Sequence, residues 1–244
     1  MSAFKEELLE LLQNQELPDE SLRQRVRTIL DEPAKRLKMS FEEFLEWADE
    51  DTLAEWVNGK VIMSSPASMI HQEISSFLGD ILKLFVQNRN MGKVIEAPFQ
   101  MKLSNTAREP DLLFVSENHL DRLKKTYLDG PADMAVEIIS PESIGRDRGE
   151  KFYEYEQAGI PEYWLIDPEK KRAEFYVLNS EGSYDMIKSG SKGKFQSQIL
   201  PDFWLKVEWL WMEPLPSALR IVAEIAGIDP ALAEKFEQAL GRAK

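Results

Sequence analysis

The chain of 244 residues contains no cysteine. That absence excludes a disulfide framework, a thiolate zinc site and a cysteine nucleophile. Positive charge is also short, with 30 Lys and Arg against 43 Asp and Glu and a formal net charge of −13. Non-specific nucleic-acid binders draw their affinity from clustered Lys and Arg that displace counterions, so this balance argues against that class. A metal-dependent nuclease stays open, because carboxylates that hold divalent ions repel DNA only until the ions arrive, and a local basic strip can coexist with a negative whole. Long apolar runs are missing too: no segment approaches the roughly 18 consecutive apolar residues of a membrane span. The start, MSAFKEELLELLQ, has acidic residues where a signal peptide has a basic flank. The expectation is a soluble cytoplasmic protein with no membrane partner.

What is present is a globular composition, 43% hydrophobic and 10% aromatic, enough for a core domain with appendages. Residues 1–38 read as a helical appendage of two amphipathic helices. The first, from about Phe4 to Gln15, carries Phe4, Leu8, Leu11 and Leu12 at helical spacing, and a second runs from Glu20 to Leu30. Arg23, Arg25, Arg27, Lys35, Arg36 and Lys38 make this the most basic stretch, which reads first as a solvated helix face and linker. A core domain spans 39–214, and a C-terminal helical tail spans 215–244 with Leu219, Val222 and Ile225, then Leu232, Phe236 and Leu240, on helical spacing.

Within the core, Ser40 three residues before Glu43 is the capping box of a short helix. LAEWVNGKVIM reads as two strands joined by Asn58-Gly59, a hairpin signal because both residues tolerate positive φ. Ile70, Ile74, Phe77, Leu78, Ile81, Leu82 and Phe85 mark one face of a long helix over 68–88. Strands are expected at 93–103, 111–115, 134–139, 162–166, 172–178 and 184–188, with a helix from Arg146 to Ala158 ended by Gly159. This order predicts an α/β fold around a mixed sheet.

The strand MAVEIIS, 134–140, carries one carboxylate, Glu137, in an apolar run. An ionised carboxylate in such a setting must be protonated, paired with a cation or bound to a metal. Asp111, in REPDLLFVS, stands at the mouth of a second apolar strand. Side by side, the two strands would bring both carboxylates to one end of the sheet, a hard-oxygen site suited to Mg²⁺ or Mn²⁺. The competing readings are a buried ion pair between Glu137 and a Lys or Arg, and a plain strand start for Asp111. Pro18-Asp19 and Pro201-Asp202 lack comparable apolar company, so a Pro-Asp pair alone is weak evidence.

The stretch from EPDLLFVS through ADMAVEIISPESIGRDRGEKFYEYEQAGIPEYWLIDPE resembles the Uma family of endonucleases, of the restriction-endonuclease-like, PD-(D/E)xK fold. The resemblance covers roughly residues 40–212, and DRGEKFYEY with GIPEYWLIDP carries its most specific part. It implies a restriction-endonuclease-like core, a central mixed β-sheet flanked by helices, with extra helices at both termini. It also implies metal-dependent cleavage of nucleic-acid phosphodiesters. The general pattern carries a lysine two residues after the strand glutamate, where this chain has Ile139; in the Uma-type pattern the lysine lies on the following helix, where Lys151 matches. The similarity further points to Glu55, as an additional metal carboxylate, and to His71, as a group that orients water or contacts phosphate. For Lys151 the competing reading is a solvated helix face paired with Asp147 at i−4. His119 reads as a surface residue, and Tyr153, Tyr155, Tyr163 and Trp164 read as core.

The expected activity is hydrolysis of a DNA phosphodiester, with Asp111, Glu137 and Glu55 around Mg²⁺ and Lys151 assisting the attacking water. Two alternatives stand beside it: an inactive nuclease fold that serves binding or assembly, and a metal-dependent phosphoesterase for another substrate. A homodimer suits a double-strand cutter, since duplex DNA has pseudo-dyad symmetry.

Overall fold

The computed structural model describes residues 39–49, 52–239 and 241. The helices read from 1–38 lie outside the described residues. In chain order the elements are α1 (Phe41–Trp47), β1 (Ala54–Val57), β2 (Lys60–Met63), α2 (Met69–Gln87), β3 (Gly92–Glu96), β4 (Gln100–Lys102), β5 (Thr106–Arg108), β6 (Leu112–Ser116), β7 (Tyr127–Asp129) and β8 (Met134–Ile138). A π-helical turn (Arg146–Glu150) then leads into α3 (Lys151–Ala158), β9 (Glu162–Asp167), β10 (Arg172–Leu178), β11 (Tyr184–Gly190), β12 (Lys194–Gln196), β13 (Trp204–Lys206), α4 (Ala218–Ile225) and α5 (Pro230–Ala239). The chain divides into two compact units, one taking the described residues up to Ser65 with Asn105–Arg108, the other Pro66–Ser104 and the chain from Glu109 onward.

In the first unit the capping box forms as read: Ser40 Oγ accepts from the Glu43 N–H at 3.1 Å and Glu43 Oε2 accepts from the Ser40 N–H at 2.6 Å. Phe41 and Phe44 are thereby turned inward, and Phe41 meets Trp56 edge-on at 5.8 Å. Asn58 and Gly59 take φ of 50° and 83°, which closes the β1–β2 hairpin. On its other side β1 pairs antiparallel with β5.

The second unit is built on a six-stranded sheet in the order β11-β10-β9-β8-β6-β3. Its strands pair antiparallel except β8 and β9, which are parallel and joined through α3. Alternation sends Met134, Val136 and Ile138 into one core with Ile74, Leu78 and Ile81 of α2, while Ala135 and Ile139 enter a second core with Tyr155, Tyr163 and Leu165. Burial on both faces is why β8 reads as an almost unbroken apolar run. The expected strand over 93–103 is instead two, β3 and β4, separated by a segment containing Pro98.

The C-terminal tail forms two helices. Ile221 and Ile225 of α4 join the core beneath α2, but Leu232 and Phe236 of α5 are 61% and 54% exposed, so their helical stripe faces outward. No helix among the described residues is long and apolar enough to cross a membrane.

Candidate functional site

The register of the central strands brings Asp111 and Glu137 to the same end of the sheet. β6 runs antiparallel to β8 with Leu112 opposite Val136, so one further step sets Asp111 beside Glu137. Asp111 Oδ2 accepts the Ile138 backbone N–H at 2.6 Å, and Oδ1 lies 3.3 Å from His71 Nε2. His71 reaches that position from the first turn of α2, whose N-cap Ser68 accepts its backbone N–H.

Glu137 is 3% exposed and is met from the facing helix. Lys151 Nζ donates to Oε2 at 2.8 Å and Tyr155 OH donates to Oε1 at 2.7 Å. The lysine therefore arrives from α3 and not from the strand, where Ile139 packs into the second core. The π-helical turn sets up this approach. The Lys151 N–H bonds to the Arg146 carbonyl, five residues back, and the wider turn carries Asp147 inward, with Oδ1 3.6 Å from Lys151 Nζ. At its far end α3 stops on Gly159, whose φ of 78° lets the N–H groups of Gly159 and Ile160 return to the carbonyls of Glu156 and Tyr155.

Two readings are corrected here, the first of them the competitor set against Lys151 as a site residue. Asp147 and Lys151 do pair at i,i+4, but they are 1% and 6% exposed, so the pair belongs to the interior and not to a solvated face. Tyr153 is 62% exposed, while Tyr155, Tyr163 and Trp164 are core residues as read. Glu55 lies on β1 in the first unit, buried with Arg108 Nη1 at 2.9 Å from its Oε2. His119 is held at its Nδ1 by Asp133 at 2.8 Å.

Burial lowers the pKa of His71, but the adjacent Asp111 carboxylate more than offsets this, leaving it raised from 6.5. Tyr163 is pushed well above its ordinary value by burial and by the nearby carboxylates of Glu137 and Asp147, so it stays a neutral donor, bonded to the Asp147 carbonyl at 3.1 Å.

Sequence reasoning missed two groups. Tyr155 sits four residues after Lys151, one turn along the same face, and that spacing was a usable signal. Arg148 was the other: its guanidinium bridges β9 and β10, with Nη1 2.5 Å from Glu174 Oε2 and Nη2 3.6 Å from Asp167 Oδ2. Both carboxylates are 3% exposed, and nothing in a single sequence pairs them with Arg148.

Among the described residues no three His, Asp or Glu side chains converge as a ready-made cage for a metal. Magnesium does not require one. It is commonly held by one or two carboxylates and completes its octahedron with water and phosphate oxygens. Asp111 and Glu137 supply hard oxygen donors of that kind, so the donor set fits such an ion.

A mixed sheet flanked by helices, with two carboxylates at one end and a lysine reaching in from a crossover helix, defines the restriction-endonuclease-like class of fold. The chain belongs to the Uma2 family, described as "Putative restriction endonuclease", whose model matches residues 41–208. Among solved structures it is similar to a "putative nuclease belonging to DUF820" from Anabaena variabilis ATCC 29413, with a TM-score of 0.62 and 16% identity over 71% of this chain and 97% of that one. No curated protein matches.

Proposed function

We propose that the protein is a metal-dependent endonuclease that hydrolyses DNA phosphodiester bonds. The observation that carries this reading is the meeting of Asp111, Glu137 and Lys151 at one sheet end in a chain of an endonuclease family. Asp111 and Glu137 would hold Mg²⁺, with Mn²⁺ able to substitute. When bound, such an ion polarises the phosphate and lowers the pKa of the attacking water. Lys151 offers an ammonium that stabilises charge growing on the phosphoryl oxygens or holds the water in line. Tyr155 fixes the second oxygen of Glu137, and the Ile138 N–H and His71 hold Asp111, so both carboxylates are oriented before substrate arrives. Water's oxygen bonds to phosphorus as the ester P–O bond breaks, and no covalent enzyme intermediate forms.

One observation favours a second reading, a nuclease fold that binds without cutting. Both oxygens of Glu137 already accept hydrogen bonds from Lys151 and Tyr155, as in a structural buried pair. Titrating Mg²⁺ and Mn²⁺ into the protein and its Glu137→Gln variant, with supercoiled plasmid present, separates the two. Nicking by the parent that disappears in a folded variant is the expected result. Metal binding with no nicking selects the binding module, and cleavage unchanged in Glu137→Gln would sink the assignment.

A further inference from the structure

Beyond the carboxylates, the same end of the sheet carries a short cationic turn. β8 and β9 are parallel with Glu137 opposite Leu165, so Asp167, two residues on, shares the face of Glu137, with Cα atoms roughly 8 Å apart from strand rise and spacing. There the chain turns through Asp167-Pro-Glu-Lys-Lys-Arg172 into β10. Lys170 and Arg172 have side chains 61% and 48% exposed, and Lys171 is exposed as well. Three consecutive cations stand here beside one exposed acid, Glu169, in a chain of net charge −13. The turn is also tied mechanically to the site. Lys170 Nζ lies 3.2 Å from Asp167, Asp167 faces Arg148, and Arg148 belongs to the π-helical turn that delivers Lys151 to Glu137.

Backbone geometry singles out Lys171. Four non-glycine residues have positive φ among the described residues: Asn58, Asn90, Asp202 and Lys171. Asn and Asp visit the left-handed region readily, whereas a lysine there, at φ 46°, sits where glycine would be less strained. Its N–H returns to the Pro168 carbonyl at 3.3 Å, so the turn is closed and its side chain is free to face solvent. A long cationic side chain at a position that favours glycine is a backbone outlier that points to a role for the side chain.

From this placement we infer that the β9–β10 turn, through Lys171 with Lys170 and Arg172 beside it, is a contact surface for the phosphate backbone of duplex DNA flanking the bond to be cut. The inference rests on the nuclease reading and extends it to how the substrate is held. Arg172 Nε is engaged by Glu174 at 2.9 Å and Lys170 by Asp167, so Lys171 is the cation chosen for the test.

The test uses Lys171→Gly in the full chain. Fluorescence anisotropy follows a labelled DNA duplex in calcium across a range of salt, and thermal melts run in parallel. Glycine relieves the positive φ, so the melting temperature should hold or rise, while binding should weaken. Loss of one phosphate contact lowers the salt slope by about 0.9, or about eightfold in affinity at 0.1 M salt, the two lines converging toward 1 M. Lys171→Arg, which keeps the charge, should retain the parental slope. An unchanged slope in Lys171→Gly overturns the inference and leaves the nuclease reading standing. A parent protein that binds no duplex at any salt overturns both.

Discussion

Replacing Lys151 by Met tests the centre of the site without depending on an activity assay. The side chain is 7% exposed, with its ammonium 2.8 Å from Glu137 and 3.6 Å from Asp147. Methionine keeps most of the volume, so the change removes the cation that compensates two interior carboxylates. Breaking a buried pair in this way costs about 3–5 kcal/mol; the Tyr155 hydrogen bond to Glu137 survives, which favours the lower figure. About 3 kcal/mol corresponds to a fall of roughly 6–12 °C in melting temperature for a chain of this size. Urea unfolding followed by circular dichroism, in chelator at neutral pH, reads the loss directly. Acid should narrow the gap between variant and parent, because a protonated carboxyl needs no cation. Added Mg²⁺ should also narrow it, since carboxylates that have lost the Lys151 cation attract the ion more strongly than paired ones, and an ion that binds only the folded site raises stability by mass action. A loss below about 1 kcal/mol, or one indifferent to both acid and Mg²⁺, would refute the claim that Lys151 neutralises these carboxylates.

Two further outcomes can be checked on the apo protein. At Gly92, φ 141°, an added Cβ would fall 2.1 Å from the Val115 carbonyl oxygen, so Gly92→Ala should lower stability by about 2 kcal/mol or more, and an unchanged melt would disprove this close approach of β3 to β6. Burial raises the pKa of Glu162 above 4.5, against the lowering effect of hydrogen bonds from the Gln198 N–H, Trp164 and Ser197. The folded chain then keeps a proton that the unfolded chain has released, so this contribution is full below 4.5 and is lost as pH rises through the folded value. Stability of the parent should therefore fall relative to Glu162→Gln across that window, and parallel pH curves for the two would contradict it.

The elements legible in the sequence were those with a long or unmistakable pattern. The helix expected over 68–88 spans 69–87, since its one-sided stripe persists for several turns. β6, β8, β9 and β10 were readable as apolar runs closed by turn residues. β4 was read only as the end of one longer strand, and β5, β7, β12 and β13 were not read, for each has only three residues, too few for a period to register. Asp111 and Glu137 could be expected together because both strands are apolar enough to be neighbours in one sheet. The burial of Lys151 was legible in part, since it shares a helical face with Tyr155, but the inward turn of Asp147 was not: a helical wheel assumes 3.6 residues per turn, and the hydrogen bond that closes the π-helical turn over 146–150 spans five residues. The stripe at Leu232 and Phe236 was legible as a helix, which forms as α5, but periodicity identifies a face without saying what covers it.

The crossover through α3 has a consequence for the order in which the chain folds. Glu137 and Lys151 are 14 residues apart and Glu137 and Tyr155 are 18, so these two partners of the buried carboxylate come from its own β–α segment. Closing loops that short is entropically inexpensive and fast. Asp111, 27 residues before Ile138, can be recruited afterwards when β6 docks. On this hypothesis the glutamate leaves water already paired, and the nucleus avoids carrying a naked charge into the sheet. Stopped-flow kinetics of Lys151→Met should then show most of the lost stability as slower folding. Loss appearing instead as faster unfolding would mean that the pair forms after the rate-limiting step.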